Sequence, residues 1–480
     1  MPIARDIIGN LIALALLGTG VVAGVPALAQ SPDQPASAAP MSAADAQAEL
    51  RKRIDAREYE QAVAEARRLV DAASQRPEAG EDLQVAYMNL AVAQYLAGDY
   101  VGAEASYLRV IELVEASGRP ANPRLARAQA GLATTYYAGK RYDLAVQHYD
   151  RAVALSRRSE GLFNEAQLPL LEKYADALTE VGRFQDALKV QRYALRVVER
   201  KYGGASLRYA TQLEVLGRWY TRVREYESSR AVLRRAIDLI EEANGQKAPE
   251  LIGPLTALSD NDRRQLLDPL AQDVATADGQ RRAMFQDPMA PVSVSLSSST
   301  VASEGQKALE RAVAIASGRP DASAAQLAGL RAQLGDWYQS RQQFDKALPI
   351  YQQAWSTAVG QVQDGKPLTE QLFGRPLLLH YVPPDSWDRY FGRPAGEAMV
   401  RNAAVEVTVT AQGRVAEPKV VADGGDPKLG AQAARAAQSA RYRPRFENGQ
   451  PVATSGVRID QPFYVLVEQE PEPAAPKPAG

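Results

Sequence analysis

Four aromatic residues, Tyr100, Tyr142, Phe184 and Tyr226, follow one another at intervals of 42 residues along this 480-residue chain. Each has the same company. Leu90-Ala91, Gly98, Ala103 and Tyr107 surround the first, and Leu132-Ala133, Tyr136, Ala145, Tyr149 and Ala152 the second. The third has Tyr174-Ala175, Leu178, Gly182, Ala187 and Ala194; the fourth has Leu216-Gly217, Tyr220, Leu233 and Ala236. A later copy reads Leu334-Gly335, Tyr338, Phe344, Ala347, Tyr351 and Ala354, and Tyr59 with Ala62 and Ala66 marks a partial first copy. A fixed interval of this size means one supersecondary unit, repeated. No single unit buries its own apolar face, so the copies must stack.

Each copy reads as a helical hairpin. Ala91, Ala133, Ala175 and Gly217 let the first helix approach its neighbour closely, Ala103, Ala145 and Ala187 do the same for the second, and the aromatics fill the gaps between hairpins. This pattern resembles the tetratricopeptide repeat (TPR) family in a longer form of about 42 residues, over residues 46–360. One copy is interrupted. Residues 249–258 read as a first helix and 303–316 as its second, with Ala308, Ala312 and Ile315 on one face. The intervening 259–302 is far longer than a helix-to-helix turn. With Pro288, Pro291 and the serine-rich 292–300, it reads as a surface insertion, the alternative being a partner-binding loop or strand.

After Gly360 the composition changes. Pro367, Pro376, Pro383, Pro384 and Pro394 punctuate a linker, 361–397, that includes Trp387, Tyr390 and Phe391. From Ala403 the apolar period falls to two: Val405, Val407 and Val409 alternate with Glu406, Thr408 and Thr410. Gln412-Gly413 supplies a hairpin turn, and Val415, Val420 and Val421 lie on the return strand. Asp426-Pro427 provides a helix cap with proline in the first turn, ahead of the stripe Leu429, Ala433, Ala436 and Ala440. Asn448-Gly449 makes a second tight turn before a last strand, 456–467. The whole reads as mainly α, a TPR-like solenoid followed by a small α+β unit of order β-β-α-β.

That unit resembles the C-terminal domain of TonB-type energy transducers. The resemblance rests on 405–410 with Gly413-Arg414-Val415, Gly425-Asp426-Pro427, Arg441-Tyr442-Arg443-Pro444, Gly449-Gln450-Pro451-Val452 and 457–463, and covers about 398–467. An upstream Tyr-Pro motif of the family is met loosely, by His380-Tyr381-Val382-Pro383. The resemblance implies binding of an extended peptide from an outer-membrane receptor by strand addition. Pro462 inside the last strand agrees, because a missing N–H is tolerated at an edge or a bulge. The residues expected to carry such binding are Val457, Arg458, Ile459, Gln461, Phe463 and Tyr464. The alternative is an edge capped by the linker or by a second copy of the domain. A TPR-like groove implies a second site, for which Asn89, Tyr95, Tyr137, Glu172, Asp176 and Arg218 are the candidates.

Ahead of the repeats lie one base, Arg5, an uncharged run from 7 to 32 and the sequence Ala27-Leu28-Ala29 before Gln30. These are the marks of an export signal cleaved between Ala29 and Gln30. The competing reading is an uncleaved anchor, since 7–29 is long enough to span a bilayer. Residues 30–45 read as a flexible Ala/Ser/Pro linker and 468–480 as a disordered tail. Both readings put the rest of the chain in the periplasm, free in one case and inner-membrane anchored in the other.

With 56 Lys+Arg against 57 Asp+Glu, nothing marks the chain as a nucleic-acid binder. The absence of Cys excludes disulfides, thiol nucleophiles and Cys-based metal sites. The two His, His148 and His380, have no nucleophile at a recognisable spacing, and Gly360 to Lys366 lacks the Ser/Thr of a phosphate loop. No catalytic constellation, metal site or cofactor is expected. The expectation is an exported cell-envelope adaptor whose partners are envelope proteins or peptides, TonB-dependent receptors among them, with membrane contact only through an uncleaved N-terminus. The alternative is a membrane-anchored, TonB-like energy transducer. Two departures weigh against that alternative: residues 1–30 hold no His, and a solenoid stands where the family has a Pro-rich spacer.

Overall fold

The computed structural model of the chain describes residues 43–76, 80–118, 122–268, 271, 296–384 and 398–466. The expected export signal, the linker up to residue 42, the tail from 467, and Trp387, Tyr390 and Phe391 lie outside the described residues. Sixteen α-helices fall within them, and the described residues divide into two compact units, one up to 212 and one from 213.

The first unit is built of hairpins: α1 (Ala43–Asp55) with α2 (Tyr59–Ser74), α3 (Gly80–Leu96) with α4 (Tyr100–Ala116), α5 (Pro123–Ala138) with α6 (Tyr142–Glu160), and α7 (Leu168–Glu180) with α8 (Phe184–Tyr202). The periodic aromatics Tyr100, Tyr142 and Phe184 are each the first residue of a second helix. Ahead of them the chain turns through a left-handed residue, Gly98 (φ 81°), Lys140 (φ 59°) or Gly182 (φ 76°), so the turn repeats even where glycine does not. Asn122 caps α5 onto the Arg124 N–H, with Pro123 at its first position. Ala91, Ala133 and Ala175 are fully buried, as the close approach of helices requires. At Gly131 a β-carbon would stand 2.3 Å from the Tyr107 ring, so only glycine leaves room for that aromatic.

The division falls within α9 (Leu207–Arg222), whose larger part opens the second unit. There follow α10 (Tyr226–Asn244), α11 (Ile252–Leu267), α12 (Ser298–Ser317), α13 (Ala324–Ser340) and α14 (Phe344–Ala358). The interrupted copy differs from expectation at both ends: α11 continues nine residues past Leu258, and α12 begins at Ser298, capped by Ser297. The added turns of α11 look polar, yet Ser259, Asn261 and Asp262 are buried. The reason is a hydrogen-bonded network. Arg230 donates to Asp262 at 2.7 and 3.1 Å, and Thr221 and the Tyr226 carbonyl hold the Asn261 amide at 3.0 and 3.1 Å.

Residues 361–384, read from their prolines as linker, are folded. They form a small hairpin, β1 (Val362–Gln363) with β2 (Lys366–Pro367), then α15 (Leu368–Phe373) and β3 (Leu377–His380). The terminal unit has a three-stranded antiparallel sheet of order β5-β4-β9, with β4 (Ala398–Val409), β5 (Val415–Asp423) and β9 (Thr454–Leu466). On one face Val405, Val407, Val409, Ile459 and Phe463 pack with Ala433, Ala437 and Ala440, the first two from α16 (Pro427–Ala437). The buried stripe thus includes Ala437, while Ala436 is only half-buried. Between α16 and β9 run three short strands, β6 (Arg441–Arg443), β7 (Arg445–Glu447) and β8 (Gln450–Val452). Asn448 and Gly449, both at positive φ, close the β7–β8 hairpin.

Candidate functional site

β9 pairs with β4 on one side and, among the described residues, with nothing on the other. Its register is unbroken from Leu466 opposite Ala398 to Val457 opposite Val407. Pro462 faces Asn402 and has no N–H to give, so the ladder stays whole only if that residue turns its backbone away from β4. Alternation then directs the backbone groups of Arg458, Asp460, Pro462 and Tyr464 to the open side.

The side chains divide differently. Ile459, Gln461 and Phe463 are buried on the core face and Val457 is half-buried beside them, so none of these four side chains stands free on the edge. Arg458 is exposed and paired with Asp460 at 2.7 Å. The Tyr464 side chain lies outside the described residues. Gln461 has a structural duty: its carbonyl oxygen accepts the Tyr381 hydroxyl at 2.8 Å and its amide donates to the Pro462 carbonyl at 2.6 Å. The loosely matched motif at 380–383 therefore braces the edge strand.

The domain is also fixed to the last repeat hairpin. The Arg443 guanidinium, 5% exposed, donates to both oxygens of Asp336 on α13, at 2.8 and 2.5 Å, and to the Leu372 carbonyl at 2.8 Å. The Tyr351 hydroxyl gives Asp336 a third bond at 2.9 Å. Burial opposes the charge on Arg443, but Asp336 more than offsets it and holds the guanidinium pKa above its usual range. Burial, and then Asp336, raise the Tyr351 phenol.

One turn further along α13, the Gln339 amide reaches the Gln412 and Tyr442 carbonyls at 2.7 and 3.0 Å. Gly413 (φ 70°) makes this possible, since a β-carbon there would lie 2.0 Å from the Tyr442 oxygen. Phe446 then packs against Phe373, Tyr351 and Trp355, with centroids 4.9, 5.9 and 6.1 Å away. β3 pairs with β6, and Arg263 of α11 donates to the Leu379 carbonyl at 3.3 Å.

Arg218 lines a cavity of about 450 Å³ between α9, α11 and α13, with Thr256, Asp260, Arg263, Gln333 and Trp337. Its guanidinium is held by Glu214 at 2.8 Å and the Gly253 carbonyl at 3.2 Å. The other groove candidates belong to the first unit. Tyr95 and Tyr137 rest on the turn aromatics of their own hairpins, 5.8 Å from Tyr100 and 5.3 Å from Tyr142. Asn89 is buried, Glu172 half-buried, and Asp176 is buried with Lys173 at 3.5 Å. His148 is bonded to Gln129 at 2.6 Å, and burial lowers its pKa. Among the described residues, no group of three His, Asp or Glu is arranged to hold a metal ion, and no helix is long and apolar enough to cross a membrane.

The tetratricopeptide repeat family matches residues 82–158, 167–242 and 330–364. The family described as Gram-negative bacterial TonB protein C-terminal matches residues 402–461. The chain therefore carries TPR repeats followed by a TonB C-terminal domain, a combination that points to protein–protein interaction. TPR proteins are generally scaffolds without catalytic activity. Among solved structures, BtubC (BKLC) from P. vanneervenii is 18% identical over 64% of this chain and 95% of its own, with a TM-score of 0.35. A putative kinesin light chain of Podosopora anserina, with nearly identical TPR-like repeats, is 17% identical over 48% of this chain and 94% of its own, with a TM-score of 0.35. The apo quorum sensor NprR from B. thuringiensis is 12% identical over 65% of this chain and 85% of its own, with a TM-score of 0.31. No curated protein matches the chain.

Proposed function

We propose that this chain is an exported cell-envelope adaptor that takes up an extended peptide along the outer edge of β9. The observation that carries the reading is a paired strand with a run of outward backbone groups beside Pro462, in a domain of the TonB C-terminal family. Receptor segments facing the periplasm fit this chemistry, because strand addition reads backbone first. Anchorage of the domain on α13 favours an adaptor over a tethered transducer: a module locked to a repeat scaffold presents its edge in a fixed frame.

The test uses the full chain and synthetic N-terminal segments of outer-membrane receptors, followed by fluorescence anisotropy. Asp460→Pro removes one outward donor and no ladder bond, and should weaken binding roughly tenfold, while Arg218→Ala leaves it unchanged. Equal affinity for Asp460→Pro and the parent chain would refute strand addition. The export half is read by intact mass. A chain beginning at Gln30 in the soluble periplasmic fraction supports the adaptor; a full-length chain in the inner membrane makes the anchored transducer the better account.

A further inference from the structure

The turn after α6 departs from its repeat equivalents. Gly161, Gly203 and Gly245 each end a second helix at positive φ, 94°, 84° and 84°. After Gly203 come Gly204 and Ala205, and after Gly245 come Gln246 and Lys247. After Gly161 come Leu162 and Phe163, which are 58% and 45% exposed. The repeat closes without large apolar residues at this point, so packing does not account for the pair. Nor is the turn loose. The Tyr193 hydroxyl donates to the Leu162 carbonyl, the Gln167 amide donates to the Gly161 carbonyl at 2.7 Å, and the Asn164 side chain accepts the Ala166 N–H at 2.9 Å.

Cations surround this held apolar tip. Arg200 stands 5.9 Å from the Phe163 ring, and Arg157 and Arg196 stand 4.1 and 5.9 Å from the Tyr193 ring. Lys201 lies 5.1 Å from the Tyr202 ring and binds Glu165 at 2.6 Å. Residues 157–165 and 192–208 together hold seven Lys or Arg against three Glu, in a chain whose net charge is −1.

We propose that this loop docks the first unit on an anionic lipid surface. Leu162 and Phe163 enter the boundary between headgroups and acyl chains, while Arg157, Arg196, Arg200 and Lys201 meet the lipid phosphates. An acidic peptide would satisfy the cations but leave the two apolar side chains in water; a lipid surface takes both. The docking involves the first unit alone and is independent of the β9 edge.

The full chain carrying Phe163→Trp reports from the tip itself, so attachment elsewhere does not imitate it. Its emission, taken as a difference from the parent chain, should shift to the blue with vesicles containing phosphatidylglycerol and not with phosphatidylcholine alone, and the shift should fade with salt. In sedimentation with the mixed vesicles, Arg196→Gln/Arg200→Gln should lower the salt-sensitive part of partitioning roughly thirtyfold, at about fivefold per cation. Leu162→Ser/Phe163→Ser should lower it at least about tenfold. Both pairs are exposed, and unchanged circular dichroism confirms that the variants fold. An unshifted emission from the Phe163→Trp chain on anionic vesicles would overturn the proposal. So would a salt-dependent gain for poly-glutamate with none for lipid, which would assign the patch to an acidic protein segment.

Discussion

The Asp336–Arg443 pair joins residues 107 positions apart within the second unit and ties the terminal domain to α13. Changing Arg443→Met removes two charged hydrogen bonds to Asp336 and one to the Leu372 carbonyl. It also leaves a carboxylate, in a residue 8% exposed, with the Tyr351 hydroxyl as its remaining bonded partner of those described. Breaking a buried pair from one side costs about 3–5 kcal/mol, because the surviving charge is stranded. Asp336→Asn keeps the shape but strands the guanidinium, and belongs in the same range. The double variant strands neither charge, so its loss should fall short of the sum of the singles by at least about 2 kcal/mol. The assay is urea unfolding followed by tryptophan fluorescence, to which Trp355, stacked on Phe446 at 6.1 Å, contributes. Hydrogen exchange at β3 and β6 then localises the opening. Additivity of the two single losses to within about 0.5 kcal/mol would refute the coupling. The contact also bears on truncation. Removal of residues from 398 onward strips Phe446 from Phe373 and Tyr351 and takes Arg443 away from Asp336.

Two glycines of α13 should behave oppositely. At Gly335 a β-carbon would stand 2.3 Å from the Tyr351 ring, so Gly335→Ala should cost about 1–3 kcal/mol despite its better helix propensity, whereas Gly329, with nothing within 4 Å, should gain about 0.5–1 kcal/mol as Gly329→Ala; equal effects in urea unfolding would contradict the close approach. Burial raises the Asp262 carboxyl to about 6, with Arg230 opposing the shift. The folded state therefore holds this proton more tightly than the unfolded chain, and the stability it contributes is full below about pH 4 and lost as pH rises through about 6. The melting temperature of the parent relative to Asp262→Asn should fall between those values, and a flat difference would remove Asp262 as the titrating group.

Much of the repeat architecture was readable because its signal is local and periodic. Tyr100, Tyr142, Phe184 and Tyr226 do open second helices, and Ala133, Ala175 and Gly217 between them stand at the close contacts expected. The capping of α16 by Asp426 and the Asn448-Gly449 turn were equally plain, since a cap or a tight turn needs only its own few residues. The continuation of α11 was hidden. Ser259, Asp260, Asn261 and Asp262 look like the start of a loop until Thr221 and Arg230, 30 to 40 residues earlier, supply partners for Asn261 and Asp262. For the edge strand, Pro462 indicated the position, but the inward burial of Ile459, Gln461 and Phe463 depends on which face α16 covers.

The sequence alone determined a helical repeat with its period, its turns and the three strands of the terminal sheet, because each is set by residues within one or two turns of chain. The tertiary structure decided what those elements lean on. It folded the proline-punctuated stretch 361–384, paired β3 with β6, and brought Asp336 and Gln339 against Arg443, Tyr442 and Gln412. None of those residues carries a periodic or neighbouring signal of its partner. A buried charge is legible as such only once the fold has enclosed it, and the energy that joins this domain to its scaffold comes from that enclosure.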